Sequence, residues 1–232
     1  MRFRNSFKDL TKFEMSLWFI SLFVVILSFV FSKGGDYMTL AASLIGVTAL
    51  IFVAKGYVIG QVLTVVFALF YGIISFFFRY YGEMLTYMCM TAPIAVMAVV
   101  SWIRHPFEGT KEVEVRKMDR KEVLGMFALS IAVTVVFYFI LGALDTANLF
   151  FSTISVTTSF LACYLTYMRN PFYALAYAAN DIVLIVLWIL ASIEDISYLP
   201  MIFCFVMFFV NDIYGFYNWK RMERRQKGEN LR

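Results

Sequence analysis

Two Asn-Asp pairs, Asn180-Asp181 and Asn211-Asp212, lie in the interior of long apolar runs near the end of the chain, and we interpret their aspartates as the only two carboxylates inside apolar segments. A charged side chain at membrane depth costs at least ~2.5 kcal/mol, so such residues mark functional sites. No Lys, Arg or His lies near the depth of either aspartate, so a ligand or a proton must supply the missing positive charge. The pattern favours this chemistry over an alternative in which the amides and acids satisfy each other.

The first pair shares its segment with an aromatic side chain. Tyr177, Asp181, Leu184 and Trp188 are spaced i, i+4, i+7 and i+11, which places them on one face of a helix. Trp188 therefore lies about 10 Å outward from Asp181 at the rise of an α-helix, roughly the length of a nucleoside. An equally good interpretation places Trp188 in the outer aromatic belt of a membrane protein.

The second pair lies in the last apolar segment at nearly the same depth as the first, counted from the inner ends of the two segments. Asn211 shares one helical stripe with Asn218, and Asp212 shares the next stripe with Trp219. We therefore expect the two pairs to face each other across one cavity. In the third segment, Gln61 begins a mildly polar face that indicates either ligand contact or hydrogen bonding between helices.

The elements that must position these residues are membrane helices. The 232 residues are 62% hydrophobic and only 16% charged, and a helix needs about 20 apolar residues to cross the hydrocarbon core. This predicts an all-α integral membrane protein with eight transmembrane helices and no room for a soluble domain. The predicted spans are roughly 13–32, 38–54, 57–78, 83–103, 123–143, 147–167, 171–192 and 197–219.

Basic residues indicate the orientation, since Lys and Arg concentrate on the cytoplasmic side. With a cytoplasmic N-terminus, only Lys33 and Arg79 of the 20 basic residues fall outside. We therefore expect a multi-pass protein of the inner (plasma) membrane with both termini cytoplasmic. The net charge of +4 then describes a basic inner surface, and nucleic-acid binding has no support. The lipid bilayer is the expected partner.

A short similarity divides the chain into repeats. Ser101-Trp102-Ile103-Arg104 ends the fourth span and Asn218-Trp219-Lys220-Arg221 ends the eighth. One extra span between two groups of three gives the groups the same orientation, a plan known from transporters. The predicted arrangement is 1+3+1+3. Its parts are an N-terminal segment with the first helix, a first triple-helix repeat, a cytoplasmic loop with a linker helix, a second triple-helix repeat and a basic tail: 1–37, 38–104, 105–146, 147–222 and 223–232.

The run from Asn211 to Met222, preceded by Asn180-Asp181 and Trp188, closely resembles the PnuC family of nicotinamide riboside transporters. The resemblance extends from about Ser43 to Met222. It implies a helix arrangement related to the SWEET sugar transporters with an added N-terminal helix, a homotrimer, and facilitated diffusion with trapping by a separate cytosolic kinase. With the residue patterns above, it indicates these substrate-binding candidates: Trp188, Asn180, Asp181, Asn211, Asp212, Tyr214, Asn218, Trp219 and Gln61.

The chemistry of these residues suits nicotinamide riboside, which joins a cationic pyridinium and a carboxamide to a ribose. An aromatic face attracts the cation by ~0.5 to 2 kcal/mol, and Asn or Gln offers a carboxamide both a donor and an acceptor. We place the ring near Trp188 and the ribose at the level of Asp181, although the reverse pose fits the spacing almost as well. A phosphate would meet two aspartates with no basic residue to offset it, which gives a reason to exclude nucleotides.

Two other functions compete with this interpretation. A proton-coupled nucleoside or small-sugar transporter would use Asp181 or Asp212 as its proton carrier. A membrane-embedded enzyme would need a nucleophile with a base, or a metal cluster. The chain has one histidine, at the cytosolic edge, and neither a metal-binding nor a catalytic sequence motif. We therefore predict no enzyme activity, no metal and no cofactor.

Overall fold

A computed structural model of the chain describes residues 6–31, 37–77, 81–146 and 148–228. Lys33 and Arg79, the basic residues predicted outside, are not among the described residues. Within these ranges the protein is all-helical without a strand, and eight helices are long and apolar enough to cross a membrane. The eight-span prediction is confirmed. The helices are α1 Lys12–Phe31, α2 Tyr37–Ala54, α3 Val58–Phe77, α4 Tyr81–Arg104, α5 Arg120–Ala143, α6 Leu149–Tyr167, α7 Tyr173–Glu194 and α8 Leu199–Gln226.

Helix α4 changes its pitch in the membrane. A π-helical turn, Thr86–Thr91, interrupts it just before Pro93. Proline has no N–H to donate and its ring clashes with the carbonyl four residues earlier, so a wider turn relieves the strain. Gly72 of α3 packs against this turn, because a Cβ there would lie 2.6 Å from Cγ of Met88. Close packing of α3 on α4 therefore depends on the absence of that side chain.

The polar loop between α4 and α5 joins the inner ends of α2 and α6. The backbone N–H of Val113 donates to the carbonyl of Gly56 at 2.9 Å, and that of Arg116 donates to the carbonyl of Arg169 at 3.0 Å. Gly56 and Arg169 both have left-handed backbone conformations, with φ of +68° and +57°. Each is the second residue after its helix. The loop thus contacts two turns of the same form.

Two tryptophans make matching contacts at this inner edge. The indole N–H of Trp102 in α4 donates to the carbonyl of Thr166 in α6 at 3.0 Å, and that of Trp219 in α8 donates to the carbonyl of Val53 in α2 at 2.8 Å. Each acceptor is the penultimate residue of its helix. The ring centroids of the two tryptophans are 5.4 Å apart. Helix α4 is therefore bonded to α6, and helix α8 is bonded to α2.

The described parts of the basic segments lie at this same end of the molecule. Lys111 in the loop pairs with Asp9 near the N-terminus at 2.5 Å. Arg225 at the end of α8 pairs with Glu112, and the Gln226 side chain accepts from the N–H of the loop residue Val115 at 2.8 Å. The N-terminal segment, the loop and the end of α8 thus form one polar surface.

Helix α1 packs against α2 and α8 through polar contacts as well as apolar ones. Glu14 is buried near its inner end, where it pairs with Lys55 at 3.0 Å and accepts from the Tyr214 hydroxyl at 2.8 Å. Trp18 donates to Thr48 of α2 at 3.1 Å. The first turn of a membrane helix thus contains a buried carboxylate that already has a basic partner.

Candidate functional site

A cavity of about 630 Å³ lies among helices α2, α3, α4, α6, α7 and α8. Aromatic side chains, including Phe67, Phe205 and Phe208, form much of its wall. No Lys, Arg or His is among the described residues that line it. Its polar lining consists of Gln61, Thr64, Tyr87, Thr91, Ser159, Tyr173, Tyr177, Asn180, Asp181 and Asp212.

Asp181 and Asp212 meet in this cavity. Each side chain is 3% exposed, and both line the same cavity. Oδ2 of Asp181 is buried without a hydrogen-bond partner. Two buried carboxyl groups in one cavity favour a proton or a cation near them, because two negative charges there would repel each other.

Asn180 is oriented by hydroxyl groups of α6. Its side-chain oxygen accepts from Thr158 at 2.8 Å, from Ser159 at 3.0 Å and from Ser155 at 3.4 Å. Because these donors occupy the amide oxygen, the NH₂ group is what Asn180 offers a ligand. The small hydroxyl residues of α6 therefore position the amide that lines the cavity.

Gln61 lies in the same cavity on α3, with Thr64 one turn further along. It is 2% exposed, so a polar amide is held away from both lipid and water. The structure thus brings Gln61, Asn180, Asp181 and Asp212 together from three helices.

Asn211 does not join them. Its amide donates to the Ser21 hydroxyl of α1 at 2.9 Å and to the Met207 carbonyl at 2.7 Å. Consecutive residues of an α-helix point about 100° apart, so Asp212 can face the cavity only if Asn211 faces elsewhere. We expected the two Asn-Asp pairs to face each other across one cavity. In the structure Asn180, Asp181 and Asp212 line the cavity, and Asn211 does not.

Three further candidates of α8 also lie away from the central cavity. Tyr214 donates to Glu14, Asn218 donates to the Ala54 carbonyl at 2.8 Å, and Trp219 donates to Val53. Tyr214 and Asn218 line a separate open cavity at the inner end of the protein. All three thus make contacts between helices.

Trp188 lies outward of the central cavity and is 3% exposed. It lines a second cavity of about 530 Å³ together with Glu83 and Ser152, and its ring centroid is 5.7 Å from that of Tyr198. A side chain in the aromatic belt would face lipid, whereas Trp188 faces the protein interior. The structure therefore favours the interior position over the belt.

From the sequence we expected Asp181 and Asp212 to be the only carboxylates inside the apolar segments. The structure shows other buried carboxylates in these helices. Glu83 in the first turn of α4 is buried, as is Glu14 in α1. Glu83 was overlooked because it begins an apolar segment instead of interrupting one. A signal was present, since Glu83, Tyr87 and Thr91 follow at four-residue spacing, and Tyr87 and Thr91 line the central cavity.

Comparisons with known proteins identify the family of this chain. The family model described as nicotinamide mononucleotide transporter matches residues 36–221. The chain is 26% identical to the nicotinamide riboside transporter PnuC of Neisseria mucosa over 97% of its own length and 88% of that protein. Its fold matches a crystal structure of the vitamin B3 transporter PnuC with a TM-score of 0.81 at 24% identity, covering 94% of each chain. The chain therefore belongs to the nicotinamide mononucleotide transporter family, and it is a membrane transporter and not an enzyme.

Proposed function

We propose that this protein carries nicotinamide riboside across the inner membrane by facilitated diffusion. The observation that carries the proposal is the central cavity, where an aspartate pair and two amides meet with no basic side chain among the described lining residues. A site of this charge attracts a compact cation and offers hydrogen bonds to its polar groups. The Neisseria mucosa relative is named for this substrate.

The chemistry of the cavity fits a nucleoside. The carboxyl groups of Asp181 and Asp212 give it the negative character that favours a cationic ligand. Gln61 and Asn180 provide the amide groups that pair with a carboxamide or a ribose hydroxyl. We place the ring toward Trp188 and the ribose at the aspartates.

The same charges favour the riboside over the mononucleotide of the family description. A phosphate monoester carries about −1.5 to −2 charges at neutral pH. It would lie beside Asp181 and Asp212 with no cation among the described lining residues. Charge repulsion and desolvation therefore oppose entry of the phosphorylated compound. A separate cytosolic kinase would then trap the nucleoside after entry.

For transport we propose alternating access between two triple-helix units, 38–104 and 147–222, connected by the segment 105–146. The matching tryptophan contacts of Trp102 and Trp219 support this division. Tyr173 lines the cavity, and its ring centroid is 4.9 Å from that of Trp219. The aromatic cluster at the inner edge would thus close the cavity toward the cytosol until the units move.

We also propose a homotrimer with both termini in the cytoplasm. The shared position of the described basic segments at one end supports the orientation, because basic residues remain inside. Helix α5 has only 11% of its apolar span buried within the chain. A helix that is apolar on all sides packs against lipid or a neighbouring copy. Cross-linking in native membranes would show whether the copies number three.

Proton coupling is the second candidate, and the observation that favours it is the presence of two buried aspartates, Asp181 and Asp212, in one cavity. A pair that holds one proton could release it when the cation binds. Facilitated diffusion requires no coupled proton movement. The membrane potential already draws a cation inward by ~2.3 kcal/mol per 100 mV. The two mechanisms differ in whether a proton gradient alone can drive net uptake.

Liposomes containing the purified protein test both proposals. With labelled nicotinamide riboside outside, we expect saturable uptake, and no uptake of the mononucleotide. With equal riboside on both sides, an acidic exterior and no membrane potential, we expect no net movement. Net uptake under that condition would overturn facilitated diffusion. If Asp181→Asn or Asp212→Asn abolished this proton-driven uptake, the substituted aspartate would be the proton carrier. Absence of riboside uptake under all conditions would overturn the substrate assignment.

A further inference from the structure

The outer cavity that contains Trp188 lies apart from the central cavity and is lined by different residues. It has a volume of about 530 Å³ and is formed by α4, α6, α7 and the segment between α5 and α6. Leu184 and Leu187 supply apolar surface on the α7 side.

Glu83 is the buried carboxyl group of this cavity, whereas Glu194, which also lines it, is exposed. The Glu83 side chain is 7% exposed, and its Oε2 atom is buried without a hydrogen-bond partner. The other oxygen has a single long contact, with the Ser155 hydroxyl at 3.4 Å. No Lys, Arg or His is among the described residues that line the cavity. A buried carboxyl group in this setting lacks the counter-charge that would offset its desolvation.

An aromatic face and a carboxyl group in one chamber form a site for an aromatic cation. The indole of Trp188 attracts a cation through its π-system, and Glu83 attracts the same charge directly. We propose that Glu83 is a specificity-determining residue that selects positively charged nucleosides in this cavity, which we call the outer subsite. The inference rests on the proposed function and names a residue that the central site does not include.

Ser155 links this subsite to the central cavity. Its hydroxyl oxygen lies 3.4 Å from Oε1 of Glu83 and 3.4 Å from Oδ1 of Asn180. A serine hydroxyl has one proton and can donate to only one of these acceptors at a time. When a cation neutralises Glu83, the proton of Ser155 becomes available to Asn180. A cation bound at the outer subsite thereby strengthens the hydrogen bond from Ser155 that orients the Asn180 amide.

The test compares two ligands of the same size, nicotinamide riboside and its uncharged 1,4-dihydro form, in liposomes containing the wild-type protein or Glu83→Gln. The measured quantity is the ratio of cation uptake to neutral uptake at low ligand concentration. We expect Glu83→Gln to lower this ratio about tenfold, since one decade corresponds to ~1.4 kcal/mol of differential attraction. The ratio does not depend on the amount of folded protein, so partial misfolding cannot imitate the result.

Matched variants complete the test. Glu83→Asp keeps the charge and should retain a preference for the cation. Glu114→Gln removes an exposed carboxylate from the inner loop and should leave the ratio unchanged. An unchanged ratio in Glu83→Gln would overturn the outer subsite while wild-type riboside uptake upholds the proposed function. If the wild-type protein takes up neither ligand, the proposed function fails and the subsite fails with it.

Discussion

Helices α2 to α4 and helices α6 to α8, which we call the first and second units, are alike at the end of the molecule that contains Trp102 and Trp219 and different at its centre. At the edge, Trp102 and Trp219 make equivalent hydrogen bonds, and Gly56 and Arg169 form equivalent turns. At the centre, both aspartates of the cavity come from the second unit, whereas the first unit contributes uncharged groups such as Gln61. The repeated part of the protein is its scaffold, and the carboxyl groups that line its central cavity belong to one unit.

This difference has a physical basis. Buried indole N–H and backbone carbonyl groups must be hydrogen-bonded in both units, and the same tryptophan-to-carbonyl bond does this in each. A buried carboxyl pair is costly and is needed once, where the ligand's charge lies. The edge contacts should therefore determine stability equally in the two units, and substitutions at the centre should affect binding unequally. The predictions below test this division.

The largest effect is expected from removal of the edge tryptophans. Both side chains are buried, at 1% and 0% exposure for Trp102 and Trp219. Trp102→Ala and Trp219→Ala should each lower the free energy of unfolding by about 3 to 5 kcal/mol, the usual cost of truncating a buried aromatic residue. Denaturant titration in detergent measures both variants. A loss above 3 kcal/mol in one and below about 1 kcal/mol in the other would contradict the equivalence of the two contacts.

The two asparagines beside the aspartates should separate binding from stability. Asn180→Ala removes the acceptor of the Ser159 hydroxyl and an amide that lines the cavity, so both stability and affinity should fall by about 1 to 3 kcal/mol. Asn211→Ala breaks the bond to Ser21 and should lower stability by a similar amount. The affinity of the Asn211→Ala variant for nicotinamide riboside, measured by calorimetry, should equal that of the wild type. An equal loss of affinity in Asn211→Ala would place that residue in the binding site.

The sequence predicted the number of helices and most of their positions, because apolar length is the main requirement of a membrane span. The last span was expected to end at residue 219, but α8 continues to Gln226. Its polar end extends beyond the membrane, where Gln226 bonds to the loop at Val113 and Val115. A hydropathy pattern cannot detect a helical turn that is stabilised by tertiary contacts in water.

The site was predicted in part, and its gaps have a common reason. Helical spacing gives the angle between two side chains of one helix but not the direction in which the helix faces. It places Asp181 and Trp188 on one face of α7, although they line different cavities, and it could not show that Asn211 faces α1. Glu83 was missed because it lies at the end of a span, where carboxylates are common. Only packing shows that α6 buries it.

A smaller effect is expected at Trp188, which tests whether the aromatic part of the site also belongs to the second unit. Trp188→Ala should weaken binding of nicotinamide riboside about tenfold, or ~1.4 kcal/mol, because the ring loses a stacking and cation–π partner. Trp188→Phe should retain part of the affinity. Calorimetry with the purified protein measures all three forms. Unchanged affinity in Trp188→Ala would reduce Trp188 to a packing residue.

The smallest effect concerns a contact that breaks the symmetry of the edge. Asp9 bonds to Lys111 at 2.5 Å and accepts from the Tyr57 hydroxyl at 3.5 Å, so the N-terminal segment supports the loop on the side of the first unit. The hydrogen bond from Lys111 lowers the pKa of the Asp9 carboxyl below its ordinary value. A group whose pKa is lower in the folded state stabilises the protein above its unfolded pKa, about 4, and this contribution disappears as the pH falls through the folded pKa.

Because Asp9 is exposed, Asp9→Asn should cost less than about 1 kcal/mol at pH 7 and less still at high salt. At pH 3 the difference between the variant and the wild type should narrow, because this pH lies below the unfolded pKa of about 4 and part of the electrostatic contribution is lost there. Thermal unfolding in detergent, followed by the circular dichroism of the helices, provides the measurement. A difference that is the same at both pH values would show that Asp9 acts through neutral hydrogen bonds alone, and the electrostatic asymmetry between the two sides of the loop would then be absent.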